Sequence, residues 1–279
     1  MGEFTNKIDF EVLVMVKNAN PNGDPLNGNR PRETYDGFGE ISDVCIKRKI
    51  RNRLQDMGQK IFIQSDERSD DGFRSLADRA KGNADMQKAL KDKDREAYAK
   101  AACETWIDVR SFGQVFAFKD TPAGVRGPVS IHSAFSVLPV SINSMQITKS
   151  VNSETKEKKS SDTMGMKHKI YSALYVVKGS INHQLAGKTG FSDEDAEKIK
   201  EALRTLFVND SSSARPDGSM EVSKVYWWKH NCPMGQYSSA KVHRLIKISA
   251  RTDDPKEFED YDIVIDTLPD LMLEEIEGI

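Results

Sequence analysis

The fifteen residues from Asn18 to Arg32 (Asn18-Ala19-Asn20-Pro21-Asn22-Gly23-Asp24-Pro25-Leu26-Asn27-Gly28-Asn29-Arg30-Pro31-Arg32) hold almost nothing that could enter a core. Five are Asn, three Pro, two Gly and two Arg. Proline fixes φ, and Gly and Asn tolerate positive φ, so the backbone is steered into defined turns on the outside of the fold. Asn amides and Arg guanidinia then face solvent with their donors outward. Such a surface suits a polar, anionic visitor; a plain surface connection is the other reading.

The flanks place this loop between a strand and a helix. Ile8 to Lys17 alternates and then runs apolar with β-branched residues, as a largely buried first strand does. Ser42 and Asp43 open a helix that Gly58 stops. Its stripe is Ile46, Ile50, Leu54 and Met57; Lys47, Arg48 and Arg51 fall elsewhere, with Lys49 and Arg53 at the flanks. That basic face either meets water or meets phosphate. Asp66 to Lys100 is charge-dense and reads as a polar helical insertion outside the core, and Trp106 to Phe118 regains aromatic weight. Val125 to Val140 reads as strand and turn. Asn143 to Lys169 is rich in Lys, Ser and Thr without periodicity, so it is either disordered or a functional loop. Strands follow at Ile170–Ile181, Val222–His230, Leu245–Ser249 and Asp262–Ile265, with a helix capped by Ser192 and running to about Val208. The order predicts an α+β fold: a βαββαβ ferredoxin-like core with two polar insertions.

Charge is segregated. The net is −2 over 279 residues, but residues 253–279 carry eleven acids and one Lys, while Val222 to Thr252 carries six basic residues and no acid. The acidic end is read as a protein contact, an RNA mimic or a solvated terminus. No apolar run reaches the ~20 residues of a membrane span, and no secretory signal opens the chain, so a cytoplasmic location is expected. Cys45, Cys103 and Cys232 lack metal or disulfide spacing. Gly23 and Gly28 have phosphate-loop spacing, but Asn29-Arg30 replaces Lys-Ser/Thr; Gly187-Lys188-Thr189 reads as a turn. No two of the five histidines have helical metal spacing, and His132, near Arg126, reads as structural or RNA-contacting before catalytic.

Two further segments carry a resemblance. Asp108-Val109-Arg110-Ser111-Phe112-Gly113-Gln114-Val115-Phe116-Ala117 precedes Val125-Arg126-Gly127-Pro128-Val129-Ser130-Ile131-His132-Ser133. With Asn20 to Pro25 they resemble the backbone subunit of type I CRISPR surveillance complexes (Cascade), most like the type I-C member. The resemblance implies an RRM-like palm of the RAMP superfamily at 1–252. It implies a helical finger insertion at about 66–104 and a β-hairpin thumb insertion at about 143–169, with 253–279 as an acidic C-terminal segment outside the match. It implies a non-catalytic subunit without cofactor that binds CRISPR RNA, polymerises with copies of itself along the guide, and presents the guide to target DNA. A large subunit and a guide-end capping subunit would be neighbours.

A guide-binding surface should read phosphate and sugar, because the guide sequence varies. Asn20, Asn27, Asn29 and Arg30, with Lys47, Arg48 and Arg51, are the residues expected on the RNA backbone. Arg126, Ser130 and His132 match the family's Arg-Gly-Pro strand and are expected in the same groove. Met164 and Met166 are expected as the apolar wedge of the thumb. The competing reading is a metal-dependent endoribonuclease using Asp24, as related complexes of another CRISPR type use a loop Asp; its structural counterpart is an Asx turn before Pro25. A single-copy RNA-binding protein is the third.

Overall fold

Strand β1 (Ile8–Ala19) is buried on both of its faces, so it must lie inside a sheet with cover above and below. The computed structural model describes residues 2–117, 123–148 and 164–279. After β1 the polar loop folds into a small hairpin of β2 (Gly23–Asp24) and β3 (Arg30–Pro31), joined by a 3-10 turn at Pro25–Asn27. Next come β4 (Phe38–Ile41) and α1 (Asp43–Asp56), which Ser42 caps by accepting from the Cys45 N–H.

A run of short helices follows: α2 (Leu76–Lys81), α3 (Ala84–Lys91), α4 (Arg95–Thr105) and α5 (Ile107–Phe112). The chain then pairs β5 (Gly113–Phe116) with β6 (Ala123–Arg126) and continues through β7 (Val129–Ile131), β8 (Ala134–Pro139) and β9 (Ile142–Thr148). Strand β10 (Met164–Ile181) is the longest, at 18 residues. Helices α6 (His183–Thr189) and α7 (Asp193–Arg204) lead to β11 (Met220–Lys229), α8 (Ser239–Val242), β12 (Ile246–Ala250), β13 (Tyr261–Ile265) and β14 (Met272–Glu277).

The main sheet is antiparallel, ordered β14-β11-β1-β10-β8-β4, with β7 and β9 also pairing β10. The α+β class expected from the sequence is therefore present. The even residues of β1, Phe10 to Val16, enter a core with Ile46, Ile50 and Leu54 of α1 and Ala196, Ile199 and Leu203 of α7. On the opposite face, Leu13 and Met15 pack with Tyr226, Trp228, Val242, Ile246 and Tyr261, under α8 and the β12–β13 hairpin.

Three stretches depart from the sequence expectations. The charge-dense insertion has a core of its own, built on Phe62, Met86, Tyr98, Trp106 and Phe116 with Ala80, Ala89, Ala101 and Ala102. Alanines let the short helices approach closely while adding little to any count of large apolar residues. Gly187-Lys188-Thr189 closes α6 and is not an open turn, because Asn182 caps that helix and Gly190 ends it at φ 72°. The acidic end is part of the sheet. β14 pairs β11, and its acids meet internal lysines: Glu274 with Lys200, Glu275 and Glu277 with Lys224.

The Asp-Val-Arg and Phe-Gly…Arg-Gly-Pro segments are joints of this fold. Asp108 is fully buried and accepts from the Phe62 N–H (2.7 Å), the Ile63 N–H (3.1 Å) and Arg51 Nε (3.0 Å). Arg110 grips Asp195 with two bonds, 2.9 and 2.8 Å, tying α5 to the capping box of α7. Gly113, at φ 82°, and Gly127 stand where two backbones cross: a Cβ on Gly113 would lie 2.4 Å from Val125 O, and one on Gly127 2.3 Å from Ser111 O. Only glycine fits at either place.

Candidate nucleic-acid interface

The Asn/Pro/Gly/Arg loop forms a seam between two polar surfaces. Its conformation uses the residue types as expected: Asn18, Gly28 and Asn29 sit at positive φ (51°, 58° and 59°). Asn22 Oδ1 accepts from the Ser42 N–H and hydroxyl, holding the loop to the start of α1. Asp24 accepts from the Leu26 N–H and pairs with Arg32 at 3.5 Å, so its carboxylate makes the turn. Asn20 is buried; its Nδ2 donates to Asn29 O at 2.6 Å and its backbone N–H to Ala214 O, which ties the loop to the 208–219 segment. Asn27 and Asn29 are exposed.

Toward β9 and β10 the loop presents Arg30, whose Nη1 donates to Ser144 Oγ at 2.8 Å; that hydroxyl also meets His168 Nδ1 at 2.8 Å. Beside it Lys169 Nζ donates to Asn18 Oδ1 at 3.0 Å. Arg30, His168 and Lys169 thus share the base of the β9–β10 hairpin.

Toward α1 the seam borders a cleft of about 710 Å³. Arg48, Lys49, Arg68 and Arg215 bring four cations to it against Asp210 and Glu67, among Asn52, Ser65, Asn209, Ser211 and Ser212. Two buried donors there make no hydrogen bond: Ser65 Oγ, and Arg215 Nε, which is ion-paired with Asp210 at 3.4 Å. Lys49 is ion-paired with Asp210, yet burial still pulls its pKa down; burial and the neighbouring Arg51 do the same to Arg48. Arg68 is held by Asp56 at 2.7 Å, and Lys49 and Arg215 share the single Asp210 carboxylate, so the cleft keeps a modest positive excess that favours an arriving anion.

The residues expected on RNA separate into groups. Arg48 lines the cleft, although its Nη1 donates to Ile63 O at 2.6 Å. Lys47 is paired with Asp43 at 2.9 Å. Arg51 is only 8% exposed and committed to Asp108, so its cation is spent inside the protein. The helical stripe placed Arg51 on an outer face, but the insertion packs against that face. Arg126 is exposed at the end of β6, and Ser130 and His132 are exposed beside β10.

Those two do not join the loop. Ser130 pairs with Ser180 and Ser144 with His168, so the two groups stand twelve residues apart on β10, roughly 40 Å of strand at ~3.3 Å per residue. Met164 and Met166 are each 56% exposed on one face of the hairpin, opposite Thr148 and Gln146. Lys149, Lys156, Lys158 and Lys159 lie outside the described residues.

Sequence reasoning missed Arg68, Arg215 and the Asn209-to-Ser212 donors. The available signal was Asn209-Asp210-Ser211-Ser212-Ser213-Ala214-Arg215-Pro216-Asp217-Gly218, a second run of small polar and turn-forming residues with an embedded Arg. Among the described residues no group of three His, Cys, Asp or Glu side chains converges, and no helix is long and apolar enough to cross a membrane.

A family model described as CRISPR-associated protein Cas7 matches residues 6–266. The chain belongs to the Cas7 family. A CRISPR-associated protein Cas7 from Haloferax volcanii is 34% identical over 117 residues, 41% of this chain and 33% of that protein. The match thus spans about a third of the length of that relative. Among solved structures, a chain of a "CRISPR RNA-guided surveillance complex, pre-nicking" aligns with TM-score 0.49 at 14% identity, covering 91% of this chain and 81% of its own. A chain of a "CRISPR RNA-guided surveillance complex" aligns with TM-score 0.46 at 16% identity, covering 80% and 69%. Within this Cas7 chain two of the three segments that carried the resemblance hold the Asp108 and Gly113–Gly127 joints, and the third, Asn20 to Pro25, lies in the seam loop.

Proposed function

We propose that this protein binds CRISPR RNA by its sugar-phosphate backbone as a non-catalytic backbone subunit of a surveillance complex in the cytoplasm. The observation that carries the reading is the seam: a conformationally fixed polar loop joins the four-cation cleft with its unmade donors to the Arg30–His168–Lys169 cluster. These groups suit phosphate and sugar, which every guide shares.

The order β11-β1-β10-β8, with α1 and α7 on one face, supports an RRM-like palm. The insertion at about 66–104, whose helices α2 to α4 pack in a core of their own, would be the finger, and the β9–β10 pairing within about 143–169 the base of the thumb, with Met164 and Met166 as its apolar wedge. Copies would follow one another along the guide, leaving its bases to pair with target DNA, with a large subunit and a guide-end capping subunit as neighbours. Equilibrium binding of RNAs with unrelated guide sequences tests the reading. Affinities alike to within about tenfold are expected, and a steeper dependence on guide sequence contradicts it.

A further inference from the structure

A second polar feature lies on the other sheet face, away from the seam. Glu11 stands on β1 between Asp9 and Leu13 and is 1% exposed. Its neighbour Asp9 is served by His230 Nε2 at 2.8 Å and Lys7 Nζ at 2.9 Å. Glu11 has no such service. Its Oε2 accepts no hydrogen bond, and the nearest cation, Lys178 Nζ, stops at 3.8 Å. A buried carboxylate left this way costs several kcal/mol in general.

Glu11 lines a cavity of about 380 Å³ between β8, β10 and β12. The walls are apolar, with Val176, Ile246 and Ile248, and Phe135 is 44% exposed at the opening. His132 and Lys178 complete the rim, with His132 set edge-on to His243 at 6.0 Å. Burial pushes the Glu11 carboxyl up to about 7, against the pull of Lys178.

An acceptor at the floor, an aromatic ring at the opening and cations on the rim match a nucleotide in three parts. Carboxylates accept from exocyclic amines of bases, aromatic rings stack on base faces, and Lys or His meets phosphate. We infer that the Glu11 cavity takes a single nucleobase bearing an exocyclic amine, its edge on the carboxylate and its face on Phe135. His132 and Lys178 meet the phosphate. The ligand class rests on the RNA-binding reading; the cavity itself does not.

The test titrates cytidine and uridine monophosphates, and oligo-C and oligo-U of five nucleotides, into wild type, Glu11→Gln and Phe135→Ala. Gln is isosteric with Glu, and Phe135 is half-exposed, so both variants should fold; thermal melts check this. Cytidine ligands should bind about tenfold tighter than uridine ligands, the discrimination of one good amine–carboxylate contact. Glu11→Gln should close that gap while leaving uridine binding in place, and Phe135→Ala should weaken both by about tenfold. Binding of the monophosphate alone would identify a free nucleotide site, and binding of the oligomer alone a strand; either supports the cavity. Equal affinity for C and U in wild type, or a gap that survives Glu11→Gln, overturns it, as does a Glu11→Gln effect confined to a basic protein partner. If long RNA binds without any base preference at this cavity, the inference fails alone; if long RNA does not bind at all, the guide-binding reading fails.

Discussion

Replacing Asp108 with alanine is expected to destabilise the protein by about 3–5 kcal/mol, the cost of orphaning one half of a buried ion pair. Asp108 has three donors: the Phe62 and Ile63 N–H groups and Arg51 Nε. Its loss leaves all three unpaired where α1, the 61–63 segment and α5 meet. The other half of the pair should cost less. Arg51→Met removes one donor, but Asp108 keeps both backbone partners, and a methionine stem can lie against Phe112, over whose ring the guanidinium now sits at 5.1 Å. Denaturant midpoints of the two variants read the order directly. Equal losses, or a neutral Asp108→Ala, would remove Asp108 as the joint between sheet domain and insertion.

Arg30→Glu/Lys169→Glu is expected to weaken RNA binding by about 10–100-fold near 0.1 M salt while leaving the fold intact. Arg30 and Lys169 each make one surface hydrogen bond, to Ser144 and to Asn18, so little internal packing depends on them. Removing two phosphate contacts should also flatten the dependence of log affinity on log salt by about 1.4, at ~0.7 per contact for single strands. Lost affinity with an unchanged salt slope would mean that the two cations act by shaping the loop. Unchanged affinity would remove the hairpin base from the interface.

Much of this arrangement is written locally. The apolar run of β1, the 3-4 stripe of Ile46, Ile50 and Leu54, and the Ser192 cap each depend on neighbours a few residues away, and each stands as expected. The loop's Asn and Gly at positive φ belong to the same class. What was hidden depends on long-range packing. The insertion's core rests on alanines whose burial follows only from the packing of four short helices. Arg51 changes from surface cation to buried partner because Asp108, 57 residues later, folds back onto it. The cleft joins Arg48, Arg68 and Arg215 from three distant segments, so no window of sequence could contain it. β14 shows the same effect: a strand with acids at half of its positions becomes a sheet edge because Lys200 and Lys224 await it.

As proposed, copies of this chain follow one another along a guide RNA, each holding it by the sugar-phosphate backbone. Native mass measurement of the protein with CRISPR RNAs of increasing guide length tests it most directly. The number of bound copies should rise stepwise with guide length and should not depend on guide sequence. A single copy at every length, or no bound copy at all, would contradict it.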